Sequence, residues 1–80
     1  MVDRGRLACV NNEPHQRLGH NLVKLRMRSG LTQEELAEKS EISHRYLQSL
    51  EAGKKQPSIN VVARLRTGLG CNWGELMEGI

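Results

Sequence analysis

Aromatic side chains are almost missing from this chain: it has no phenylalanine, and Tyr46 and Trp73 are its single tyrosine and single tryptophan. A core must then be assembled from Leu, Val, Ile and Ala, without the large buried area that rings supply, and its stability leans on well-formed helix ends. Cysteine is scarce as well. Cys9 and Cys71 lie far apart and form no CxxC pair, which argues against a disulfide framework or a zinc motif and leads us to expect reduced thiols and a cytoplasmic location. No apolar run approaches the ~20 residues of a membrane helix, and the opening MVDRGRLACVNNE lacks the uninterrupted apolar stretch of a signal peptide. No membrane partner is expected. His15, His20 and His44 stand at no ligand spacing with one another or with the cysteines, so neither a metal nor a cofactor is expected. The absence of a nucleophile, a base and an orienting group at usable spacing argues against an enzyme.

What is present is positive charge and strong helix punctuation. The 80 residues have room for one small domain, and a chain of this size buries only about 60% of its unfolded surface, which leaves little space for a large catalytic cleft. Twelve Lys and Arg against nine Asp and Glu give a net charge of +3, an attraction for polyanions. Residues 1–13, with Gly5, Asn11, Asn12 and the charges of Arg4 and Arg6, read as a flexible arm. Residues 14–80 read as the folded domain.

Within that domain the helix boundaries are written locally. Pro14 suits a first helical turn, and Leu18, Leu22 and Leu25 recur on one face. Gly30 stops this helix. Thr32-Gln33-Glu34-Glu35 is a capping box, with Leu31 and Leu36 at the positions of a hydrophobic staple, so a second helix starts at Gln33. Ser43 caps a third helix, with Ile42 and Leu47 as its staple; Gly53 ends it. Ser58 caps a fourth, with Val62, Leu65 and Leu69 inward and Gly70 as terminator. Asn72 and Glu75 repeat the box for a short fifth. No segment alternates apolar and polar residues, and the loops are short, so the expected fold is an all-α bundle of five helices.

Helices two and three, about 33–40 and 44–52, are joined by a turn of about three residues, which is helix-turn-helix spacing. Through Gly30-Leu-Thr-Gln-Glu-Glu-Leu-Ala37, Ile42-Ser43, Tyr46-Leu47, Leu50-Glu51, Gly53-Lys54, Pro57-Ser58 and Leu69-Gly70 the chain resembles the Cro and lambda-repressor type (XRE family) of DNA-binding domain, over about three-quarters of its length. The resemblance implies a compact lambda-repressor-like bundle, double-stranded DNA as partner, and a third helix lying in the major groove of an operator. It places His44, Arg45, Gln48 and Ser49 at base edges, and Thr32, Gln33, Tyr46, Lys54 and Lys55 on the phosphate side. It also implies a salt bridge between Arg26 and Glu51. Two positions depart from the pattern: Glu41 stands where glycine is common, so a non-glycine residue is expected at positive φ, and Arg66 replaces a small buried alanine. Trp73, Met77 and Ile80 form an apolar patch suited to a two-fold homodimer contact. The expected function is a sequence-specific transcriptional regulator that acts by occupying an operator, whether to repress or to activate. The alternative is an interaction module that keeps the fold while the face of the third helix binds protein.

Overall fold

In the computed structural model, which describes residues 13–80, five helices follow one another: α1 Pro14–Arg28, α2 Gln33–Ser40, α3 His44–Glu51, α4 Ile59–Leu69 and α5 Trp73–Leu76. There is no strand among the described residues. The expected arm, residues 1–13, lies outside them except for Glu13, whose carbonyl accepts from the backbone N–H groups of Gln16 and Arg17 at 3.0 Å each and so belongs to the first turn of α1.

The caps form where the sequence places them. Thr32 Oγ1 accepts from Glu35 N at 3.1 Å while Thr32 N donates to Glu35 Oε1 at 2.8 Å. Ser43 Oγ accepts from Tyr46 N at 3.0 Å, and Ser58 Oγ from Val61 N at 3.3 Å. Asn72 Oδ1 accepts from Glu75 N at 2.7 Å, and Asn72 N donates to Glu75 Oε1 at 3.3 Å. Each such cap is worth about 1 kcal/mol, a large share of what a small helical domain retains. That hydrogen bond from Asn72, with Arg28 beside it, holds the Glu75 carboxyl below the usual carboxylate range. α3 stops at Glu51, with Ala52 as its C-cap and Gly53 turning the chain at φ +74°.

Glu41 closes α2 in the left-handed conformation, φ 59° and ψ 42°, as its place in the turn requires. A side chain with a Cβ is strained there, whereas glycine is not, so Glu41→Gly should raise stability by about 0.5–1 kcal/mol after the glycine's own entropy is subtracted. A higher urea midpoint at unchanged slope is the readout.

α1 packs on α3 and α5, and α2 packs on α3 and α4. Their shared core contains no ring: Leu18, Leu22, Leu25, Leu36, Ala37, Leu47, Leu50, Val62, Leu65 and Leu76 are buried, with Leu31, Ile42, Tyr46 and Leu69 packed at its margin. Two glycines set helix separations. A Cβ on Gly19 would strike the Leu50 carbonyl oxygen, and one on Gly68 would come within 2.6 Å of Ser40 Oγ. α5, at four residues, is too short to stand alone. It is held by buried Leu76 and by fully buried Asn21, whose Nδ2 donates to the carbonyls of Leu76 at 2.8 Å and Glu78 at 2.9 Å. Arg28 pairs with Glu75 at 2.9 Å on the outside.

Arg66 does not enter the core as the alanine it replaces would. It is half-buried, and its guanidinium lies 5.2 Å from the centre of the Trp73 ring, a cation–π contact. Its Nη1 donates to the Cys71 carbonyl at 3.4 Å. The inner face of α4 is therefore left to Val62 and Leu65, with Leu69 at its edge.

Candidate nucleic-acid interface

α3 is divided lengthwise. Leu47 and Leu50 are buried and Tyr46 packs against the core, while Arg45 and Gln48 are exposed and Ser49 is half-buried. Spacing of this kind is what a helix does with i, i+3 and i+4 positions. Lys54 and Lys55 follow immediately and are exposed. A helix seated on the core by two leucines thus presents an arginine and a glutamine outward, with two ammonium groups beyond its end. Tyr46 is half-buried, and its ring belongs to the packing.

The seat of α3 is reinforced by a relay of polar groups. Arg26 Nε donates to Glu51 Oε2 at 2.8 Å and Arg26 Nη2 to Oε1 at 3.3 Å, so the implied salt bridge is present as a fork. Arg26 Nη1 also donates to the Leu31 carbonyl at 2.9 Å. The Glu51 side chain is 4% exposed and that of Arg26 16%. From the other side Gln33 Nε2 donates to Glu51 Oε1 at 2.8 Å, and Gln33 Oε1 lies 3.3 Å from His44 Nε2. Groups from α1, α2 and α3 thereby form one connected chain.

That chain changes the picture of two residues. The sequence assigns His44 and Gln33 separately, one to a base and one to a phosphate, yet the structure brings them together at the first positions of α3 and α2. Both are half-buried. Gln33 keeps one amide hydrogen free, and Thr32, whose oxygen accepts as a cap, keeps its hydroxyl hydrogen; both remain able to donate at the start of α2. Gly19, which lets α1 reach the end of α3, was missed by sequence reasoning. Its signal was an isolated glycine inside a helical pattern.

Cys71 is half-buried near the Arg66 and Trp73 contact. Burial, followed by the charge of Glu75, pushes its thiol above its ordinary value, away from the thiolate that a nucleophile or a metal ligand uses. No helix among the described residues is long and apolar enough to cross a membrane.

Comparison with known proteins agrees with this geometry. A helix-turn-helix family model matches residues 22–76. An uncharacterised HTH-type transcriptional regulator of Sinorhizobium fredii, y4dJ, is 40% identical over 60 residues, which is 75% of this chain and 78% of the relative. The clp gene regulator ClgR from Corynebacterium glutamicum superposes with a TM-score of 0.80 at 33% identity, over 84% of this chain and 86% of that one. The restriction-modification controller protein C.AhdI from Aeromonas hydrophila does so with a TM-score of 0.72 at 33% identity, over 75% and 91%.

Proposed function

The chain belongs to the helix-turn-helix family of DNA-binding transcriptional regulators, and from that premise we propose that it reads its operator with the exposed face of α3 in the major groove. One observation carries the assignment: Arg45 and Gln48 are exposed on a helix whose other face is locked into the core by Leu47 and Leu50. Arg45 supplies the fork that pairs with guanine O6 and N7, and Gln48 the amide that pairs with adenine N6 and N7. Ser49 and His44 complete the base-facing set. Thr32 and Gln33 at the N-terminus of α2, with the Tyr46 hydroxyl, Lys54 and Lys55, take phosphates; these contacts position the duplex and carry no sequence information. The regulator acts by occupying its operator, in the cytoplasm with its DNA.

Selection from a random duplex pool at two salt concentrations tests this reading. Enrichment of a defined site, with affinity falling steeply as salt rises, is expected. A pool left unenriched and binding indifferent to salt would refute it and favour a protein partner for α3. Single substitutions sort the contacts. Arg45→Ala should cost about 1–3 kcal/mol on the selected site and relax the preference at one position, whereas Lys54→Ala should weaken all sequences alike and flatten the salt slope by about 1.

The same reading includes a homodimer. Exposed Ile59 and Ile80, with Pro57, Val62 and Met77, line an apolar groove of about 480 Å³ beside the N-terminus of α1. Of the expected patch, Met77 and Ile80 line this groove, whereas Trp73 does not: it is 42% exposed and carries Arg66 over its ring. Burial of this groove against a second copy would remove an exposed apolar surface and set two recognition helices on successive half-sites. Sedimentation equilibrium should show association with rising concentration, lost in Ile59→Asp. A strict monomer that also binds a palindromic site without cooperativity excludes the contact.

A further inference from the structure

The relay that braces α3 has a direction. The Glu51 carboxylate, forked onto Arg26, can only accept hydrogen bonds, so the Gln33 group facing it at 2.8 Å must be the amide nitrogen. This orients the amide and leaves its oxygen, a pure acceptor, 3.3 Å from His44 Nε2. For the contact to be a hydrogen bond, Nε2 must carry the proton. In a neutral imidazole the other nitrogen, Nδ1, then holds a lone pair.

We propose that Glu51, acting through Gln33, sets His44 in the Nε2-protonated form and makes it a hydrogen-bond acceptor in the groove, selecting the exocyclic amine of an adenine or a cytosine. This rests on the reading of α3 as the recognition helix. Each major-groove base edge offers a fixed pattern of donors and acceptors, and the amines of adenine N6 and cytosine N4 are the donors among them. Histidine with the opposite tautomer would donate from Nδ1 and would seek guanine O6, thymine O4 or a purine N7 instead. Gln33 and Glu51 are accordingly positioning residues for sequence choice, in addition to any contact Gln33 makes with phosphate.

Replacement of single base atoms in the selected operator tests the proposal, at about pH 8, above the range in which histidine ordinarily charges. The base pair in question is the one whose preference His44→Ala abolishes. There, removing the exocyclic amine (purine for adenine, or pyrimidin-2-one for cytosine) is expected to weaken wild-type binding about tenfold and leave His44→Ala binding unchanged. Exchanging purine N7 for carbon should leave both unchanged. In Gln33→Leu, binding to every sequence falls with the lost phosphate contact, and the specific penalty for removing the amine shrinks because either tautomer is now allowed. Nitrogen-15 shifts of the His44 ring in the free protein should show Nε2 protonated and Nδ1 bare. Amine removal without effect on wild-type binding overturns the proposal, with or without a loss on N7 exchange, as does a ring protonated mainly at Nδ1. So does a His44→Ala protein with unaltered base preferences. In these three cases an operator is still selected and the functional reading stands; failure to select any operator overturns both.

Discussion

Gly19→Ala is expected to destabilise the fold by about 3 kcal/mol, although in an ordinary helix interior the same change gains nearly 1 kcal/mol. The reversal of sign comes from what the new methyl group would meet. Besides the Leu50 carbonyl oxygen, a Cβ there would lie 3.0 Å from the Glu51 oxygen and 3.2 Å from Gly53 N. All three are backbone atoms at the end of α3, and none can step aside by a change of rotamer. Relief must come from moving α1 off α3, which loosens Leu18 and Leu22 against Leu47 and Leu50 in the core. Urea unfolding measures the loss. Operator affinity of the remaining folded protein should fall too, since the displaced element is the one proposed to read DNA. A variant more stable than wild type would mean that α1 and α3 do not approach as closely as described.

Glu51→Ala should cost a similar amount, about 3 kcal/mol, because it removes one partner from a largely buried pair and strands the other. Arg26 loses both arms of its fork, and the Gln33 amide loses its acceptor. Arg26→Ala in the same background should be far less harmful than in the wild type, giving a coupling of about 1–3 kcal/mol in a double-mutant cycle. Strict additivity of the two substitutions would show that the pair contributes little. Operator affinity should again drop, through loss of the brace on α3 and of the orientation it gives Gln33 and His44.

The parts of this structure legible in the sequence are those encoded within four or five residues. Thr32 with Glu35, Asn72 with Glu75, and the cap at Ser43 each unite neighbours along the chain, so the helix starts could be placed before any packing was known. The leucine spacing of α1 and α3 likewise announced their buried faces. The Arg26 and Glu51 pair, from two different helices, was reached only through family resemblance. What stayed hidden depends on how helices meet. Asn21 lies on the same stripe as Leu18 and Leu25, which places it inward, but its task of holding the Leu76 and Glu78 carbonyls exists only once α5 folds back on α1. The joining of Gln33 to His44 depends on the angle between α2 and α3. Arg66 looked like an intruder in the core because its alternative, the face of Trp73, comes from another element.

The near absence of rings has an optical consequence. With Trp73 the single indole, 42% exposed and stacked under a guanidinium at the joint between α4 and α5, tryptophan emission will monitor that joint and any surface that closes over it, while the core itself is aliphatic and only Tyr46 at its margin adds a near-ultraviolet signal. Melting of the core will be visible in the helical far-ultraviolet band, and disagreement between the two signals will reveal α5 letting go before the rest.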